Sequence, residues 1–381
     1  MKHTTLKLAG MALAIAASAL TGRADVALNE NVSLYGYAAG YLEYNQLASG
    51  DNSSTGMDLR AAKVGTAFNF APVTAKLSTY YVDGDFYLLE ANATYDFGQG
   101  LSLMGGRFLS KFSYEPFDIP AAFFITSGND AFGAIFDLVG LPTGFMPNFH
   151  EGVRLEYVIN KENTAGISFV DSLYNRVDYY GNGNYALSPY HGDGKLNDGY
   201  GIEAYYRYNN DALSIGATLG YQNSRKNSNA HLVTNLANTY AADVWAQYVI
   251  NKNTLLAAEL FYRVDSDKDY YGPNSKLKNI SLYYGLVTVK QQLNDKFSLA
   301  GRYTYGNTSW DHKDFPLYDT KGGKIDSMNF MKFSVTPAYA VTKNLSVAAE
   351  LNYTKYDYKF LGKKGDKDSK VYLGVQACFS F

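Results

Sequence analysis

The 381-residue sequence predicts an all-β fold, a transmembrane antiparallel β-barrel of about sixteen strands, with fourteen to eighteen left open. Three observations carry that expectation. The N-terminus has the form of an export signal. Period-two alternation is broken by short turns and longer polar loops in strict rotation. The last alternating segment stops on an aromatic residue.

Lys2, His3 and Lys7 supply a positive start, and residues 8–20 form an unbroken run of apolar and small residues. Gly22 and Ala24 place small residues at −3 and −1 of a cleavage site before Asp25. This is the three-part pattern of a secretory signal peptide, so residues 1–24 are expected to be removed and 25–381 to form the barrel. Beyond residue 24 no stretch approaches eighteen consecutive apolar residues, which leaves no transmembrane helix. The richest candidate, residues 131–146, is interrupted by Asp137, Gly140, Pro142 and Gly144.

Composition fits a membrane barrel. Tyr (35), Phe (22) and Gly (35) are abundant, whereas Pro (9) is scarce. Barrels need aromatic girdles at both interfaces and small residues where strands curve. A net charge of −2 gives no sign of a nucleic-acid partner. Cys378 is the sole cysteine, so no intrachain disulfide framework exists.

The short breaks are Ala71-Pro72, Gly98-Gln99-Gly100, Lys161-Glu162-Asn163, Asn210-Asp211, Lys252-Asn253, Asn294-Asp295-Lys296 and Lys343-Asn344. Turn-forming residues between two apolar runs read as hairpins. The intervening breaks are 47–56, 83–85, 113–149, 175–198, 223–238, 265–276, 311–325 and 361–368, nearly all longer and polar. Seven turns and eight loops separate sixteen strands, with short periplasmic turns on one rim and long extracellular loops on the other.

Alternation also assigns faces. Leu345, Val347, Ala349, Leu351 and Tyr353 share one side, against Ser346, Ala348, Glu350 and Asn352. The apolar side would meet lipid and the polar side the lumen, because Arg or Lys facing mid-bilayer costs about 2–4 kcal/mol. The charges assigned inward are Lys76, Glu90, Arg107, Arg154, Glu156, Glu203, Arg207, Asp243, Glu259, Arg263, Arg302, Lys332 and Glu350. They either set ion preference through a transverse field or pair into ladders that brace the wall. Recurrence of arginine at 107, 154, 207, 263 and 302 favours a functional role for part of the set. The final strand places Val371, Leu373, Val375, Ala377, Phe379 and Phe381 on one face. An alternating last strand ending on phenylalanine resembles the signal read by bacterial barrel-assembly machinery, with Phe379 and Phe381 as its elements.

The longest insertion, 113–149, is unusually apolar, with Ile119, Phe123, Phe124, Ile125, Phe132, Ile135, Phe136 and Leu138 among its residues. Folding inward would bury them and narrow the channel; capping the barrel or an oligomer contact is the alternative. The insertion resembles the third loop of sixteen-stranded general porins. That resemblance implies Glu115, Asp118, Asp130 and Asp137 as acids of a constriction.

Catalytic and metal signals are absent from the sequence. The histidines at 3, 150, 191, 231 and 312 are scattered without ligand spacing, and no Gly-x-Ser-x-Gly elbow occurs. Asp265, Asp267 and Asp269 begin like a calcium loop, but Tyr270 stands where that loop requires glycine. No cofactor is implied.

Gly105-Gly106-Arg107-Phe108, Tyr114-Glu115 and the stretch from Pro147 through His150, Gly152 and Arg154 to Tyr157 resemble the OmpL-like family of β-barrel outer-membrane porins. The motif covers roughly residues 103–158, and Ala121 to Ile125 stand where the family has a Ser-Arg stretch. The resemblance implies an outer-membrane porin and leaves its substrate open. The sequence is read as a channel for passive diffusion of small hydrophilic solutes, with membrane lipid, barrel-assembly machinery and, as in many large porins, further copies in a homo-trimer as partners. A surface-binding barrel acting through 177–190 and 265–271, and a saccharide-selective channel, are the other readings.

Overall fold

The computed structural model describes residues 25–47, 53–82, 85–128, 130, 147, 149–171, 173, 199–224, 238–266, 277–312, 317–318, 324–360 and 363–381. The expected signal peptide, Asp137, the 177–190 loop and the side chains of 265–271 lie outside what is described.

Sixteen long strands follow one another: β1 (Val32–Leu47), β2 (Ser53–Phe70), β3 (Val73–Val82), β4 (Asp85–Gly98), β5 (Leu101–Leu109), β6 (Phe149–Val158), β7 (Asn163–Val170) and β8 (Gly199–Asn209). The second half is β9 (Leu213–Ser224), β10 (Asn238–Asn251), β11 (Thr254–Ser266), β12 (Leu277–Gln292), β13 (Phe297–His312), β14 (Lys324–Ala340), β15 (Leu345–Phe360) and β16 (Lys363–Ser380). Two-residue pieces at Val26–Ala27 and Leu317–Tyr318 pair with β1 and β14. Every long strand is antiparallel to its sequence neighbour, and β16 pairs with β1 from Lys370↔Leu47 to Ser380↔Tyr37. The seam continues through Phe381, whose N–H donates to the Gly36 carbonyl at 3.0 Å while Gly36 N–H donates to Phe381 at 2.8 Å. The sheet is a closed barrel without a free edge, which is what a spanning sheet requires in lipid.

All seven short turns connect strands, and Gly98, Gln99 and Gly100 take φ of 80°, 55° and 85° in succession. Glycine at the first and third of these positions is what lets the chain reverse there. Twelve of the sixteen strands are longer than the roughly ten residues that a spanning strand needs. The 361–368 segment, expected as a loop, is mostly strand, with Phe360 opposite Lys363 in a tight hairpin.

Burial is inverted relative to a water-soluble protein. Leu42, Val64, Leu219, Val244, Leu260, Val335, Leu351 and Leu373 are exposed, whereas Glu203, Arg263 and Glu350 are fully buried. The exposed apolar band is bordered by aromatics on both rims. Phe70, Tyr95, Phe97, Tyr157, Tyr248, Tyr339 and Phe379 lie toward the short turns. Toward the long loops, Phe169, Tyr200, Tyr221 and Tyr240 form a continuous row of ring contacts. Such girdles sit at the headgroup level, where a ring meets hydrocarbon and its hydroxyl meets water.

Candidate functional site in the barrel interior

After β5 the chain leaves the wall, and residues 110–130 run across the inside of the barrel. Hydrogen bonds to the wall fix this path. Lys111 N–H donates to Glu203 on β8, Ser113 N–H to Asp243 on β10 and Tyr114 N–H to Glu259 on β11, each at 3.0 Å. Further on, Asp118 accepts from Lys63 on β2 at 3.0 Å, and Thr126 N–H donates to Glu350 on β15 at 2.8 Å. Partners on β2, β8, β11 and β15 can be reached by one short segment only from within.

Wall carboxylates replace the backbone ladder that the chain gives up on leaving β5. An unpaired buried N–H costs about 1–3 kcal/mol, so acceptors on successive strands define a track for the segment. Glu203 is its first fastening. It also accepts from the Ser110 hydroxyl and from Arg154 Nη2 at 3.0 Å, with His150 Nε2 at 3.6 Å. Arg154 also donates to the Leu109 carbonyl at 2.9 Å and lies 4.3 Å over the Phe108 ring. Arg207 donates to the Lys111 carbonyl and stacks near Trp245. Burial lowers the Lys111 ammonium below the ordinary lysine range, helped by Arg154 and opposed by Glu156 at 3.5 Å. Burial, followed by Glu115 and Glu259, raises the Tyr114 phenol. It therefore stays protonated and donates to Gln247 at 3.0 Å.

The middle of the segment is held by packing. A short 3-10 turn at Ile119–Ala121 sits beside Phe117, and both Phe117 and Ile119 pack against the buried cluster of Tyr37, Ala39, Ala61, Tyr80 and Phe149. Phe124 and Ile125 are buried, with the Arg302 guanidinium 4.2 Å over the Phe124 ring.

The segment's acids each meet a wall cation. Glu115 pairs with Arg302, Asp118 with Lys63 and Asp130 with Lys332 at 2.7 Å. Glu115 also accepts from Gly128 N–H at 2.6 Å, tying the two ends of the crossing together. Arg302 donates to the Thr126 carbonyl at 2.9 Å and approaches Glu350 at 3.9 Å; Lys332 donates to the Thr126 hydroxyl and the Ser127 carbonyl. These acids therefore act locally as fasteners.

Of the thirteen charges assigned inward by alternation, Arg107, Arg154, Glu203, Asp243, Glu259, Arg263, Arg302, Lys332 and Glu350 are buried, and Glu90, Glu156 and Arg207 half-buried. Arg107 pairs with Glu151 at 3.4 Å, Glu156 accepts from Tyr205 at 2.5 Å, and Glu90 accepts from Ser78 at 3.1 Å. Lys76 is exposed on β3 toward the short-turn rim and joins none of these groups.

Among the described residues, three interior cations escape sequence reasoning. Lys63 shares the odd-numbered phase of exposed Leu59, but a register shift opposite Ala39 and Gly40 turns Ala61 and Lys63 inward. Lys111 lies beyond the last strand residue, where alternation has no meaning. Lys290 follows Leu282, Tyr284 and Leu286 on a strand apolar on both faces, which hides its direction. His150 shares the phase of Arg154 and could have been found from it.

A family model described as "Putative beta-barrel porin-2, OmpL-like" matches residues 46–381. Among solved structures, the outer membrane channel DcaP of Acinetobacter baumannii is similar at 16% identity and a TM-score of 0.60, over 92% of this chain and 97% of that one. OprB of Pseudomonas putida is similar at 14% identity and a TM-score of 0.59, over 93% and 95%. Outer-membrane-expressed OmpT of Vibrio cholerae is similar at 13% and 0.57, over 94% and 100%. At such identities the likeness is one of fold. No curated protein matches the chain.

Proposed function

The chain belongs to the OmpL-like family of β-barrel porins, and on that premise we propose that small hydrophilic solutes and ions cross it by passive diffusion past a constriction built from residues 110–130. It is an outer-membrane channel. The observation that carries the constriction is the set of hydrogen bonds from this one segment to β2, β8, β10, β11, β13, β14 and β15. A segment fastened at so many points stands in the path of any solute. It keeps its place without a cofactor or an energy source.

The paired charges divide into two roles. Lys63, Arg302 and Lys332 hold the constriction, with Glu115, Asp118 and Asp130 as their counter-ions. Arg107, Arg154, Glu156, Glu203 and Arg207 brace the wall where the segment departs. Residues 1–24 act as the export signal and Phe379 and Phe381 as the assembly signal. The barrel associates as a homo-trimer, an assembly described for OmpT of Vibrio cholerae in a trimer form.

Single-channel current in planar bilayers, measured with a series of sugars of increasing size, tests the reading. Stable ohmic steps that shrink while sugars enter, and recover once they are excluded, are the expected result. A folded, heat-modifiable barrel that passes no current refutes it in favour of a surface-binding role. Saturable sugar block of the current would mark a saccharide-selective channel. Deleting residues 119–141 raises conductance, and an unchanged pore sinks the constriction.

A further inference from the structure

On the short-turn side of the crossing segment lies a cavity of ≈ 580 Å³, counted with the open space at its mouth. Its ceiling is residues 119–125 and its walls are the inward positions of β12 to β16. Small residues such as Ala300, Ala338 and Ala348 keep those walls recessed, and Phe123 and Phe124 supply aromatic surface.

Among the described residues, one cation faces this space. Lys290 is 7% exposed, lines the cavity and sits 4.4 Å from the Phe123 ring centroid. Among the described residues it has no carboxylate partner, whereas Lys63, Arg154, Arg302 and Lys332 all have one. Thr336 Oγ1 and Gln376 Oε1 line the same cavity, are buried and also lack hydrogen-bond partners. Unpaired buried polar groups are costly, and a lysine without a carboxylate lining the same space as an unpartnered hydroxyl, between aromatic and alanine surface, has the form of a ligand site rather than of a wall brace.

We propose that this chamber is a binding station for small organic monoanions that carry an apolar body, aromatic carboxylates being the best fit. The carboxylate meets the Lys290 ammonium and accepts a hydrogen bond from the Thr336 hydroxyl. The body of the solute packs against Phe123 and the alanine-lined wall. A single cation selects one negative charge, since a second carboxylate would be desolvated without a partner. A solute held there stands directly beneath the constriction, so the inference rests on the channel reading for its route of entry.

Titration calorimetry of benzoate into the detergent-purified protein reads the station whether or not the barrel conducts. Benzamide, the neutral analogue, binds more weakly than benzoate. Lys290→Gln weakens benzoate by about tenfold or more, the loss expected for one charge-assisted hydrogen bond, while Lys290→Arg retains it. The glutamine variant removes an unneutralised buried charge, so its barrel stays folded, checked by heat-modifiable gel mobility. In bilayers benzoate blocks the wild-type current saturably and leaves the glutamine variant's current unblocked. Equal benzoate affinity in wild type and Lys290→Gln overturns the proposal, as does benzamide binding as tightly as benzoate. Calorimetric binding without any channel current would retain the station and refute the porin reading. Current without benzoate binding would do the reverse.

Discussion

Arg302 is the point at which the crossing segment is most concentrated on one wall residue. Its guanidinium pairs with Glu115, donates to the Thr126 carbonyl at 2.9 Å and to Ser334 at 3.3 Å, and lies 3.9 Å from Glu350. Arg302→Met keeps much of the aliphatic stem and removes both the charge and the guanidinium that lies over Phe124. Glu115 and Glu350 then stay in place without their cation. Removing one partner of a buried pair costs about 3–5 kcal/mol. The Glu115 side chain is 18% exposed to the lumen, and water there favours the lower end, about 3 kcal/mol. That shifts the docked-to-released ratio of the segment by roughly a hundredfold. The 110–114 half keeps its hydrogen bonds to Glu203, Asp243 and Glu259, so release is confined to residues 115–128. The expected outcome is higher single-channel conductance, greater open-channel noise and a lower temperature of heat-modified migration. Adding Glu115→Gln and Glu350→Gln to the methionine variant removes the stranded charges and recovers part of the thermal loss. Conductance, noise and unfolding temperature all at wild-type values in Arg302→Met would refute the argument that this residue fastens the segment.

Lys63→Met leaves Asp118 and Glu90 without their shared cation, so the reversal potential in a KCl gradient moves toward cation preference; no movement would place Lys63 outside the ion path. Glu203→Gln removes the charge that holds Arg154 and accepts from Ser110 and Lys111, for a loss of about 2–4 kcal/mol seen as earlier heat modification. Wild-type heat modification in that variant would contradict its role as an anchor. Gly36→Val puts a side chain into the closing seam, where even a Cβ would come within 2.9 Å of the Phe381 ring. The folded fraction in the outer membrane then falls, and undiminished assembly would show that the seam tolerates bulk there.

The amino-acid pattern alone defines the barrel because a spanning sheet imposes local rules on every strand. Side chains alternate between lipid and lumen, so Leu345, Val347 and Leu351 separate from Ser346, Glu350 and Asn352 without knowledge of any neighbour. Turn residues such as Gly98 and Gly100 mark reversals for equally local reasons, and together these rules give sixteen strands. Alternation fails where its cause is absent. Residues 363–368 pair in the ladder although their sequence is polar throughout, and Lys63 changes phase at a register shift between β1 and β2. The pairing of charges was never local. Lys63 meets Asp118 across 55 residues, Arg302 meets Glu115 across 187 and Glu350 meets Thr126 across 224. Those meetings depend on barrel closure and on the path of one segment through the lumen. The sequence by itself determined the wall and the facing of its side chains wherever alternation is regular. Only the tertiary structure decided which carboxylates are spent on fastening, and that Lys290 faces a cavity with no carboxylate partner among the described residues, because both follow from what stands opposite across the barrel.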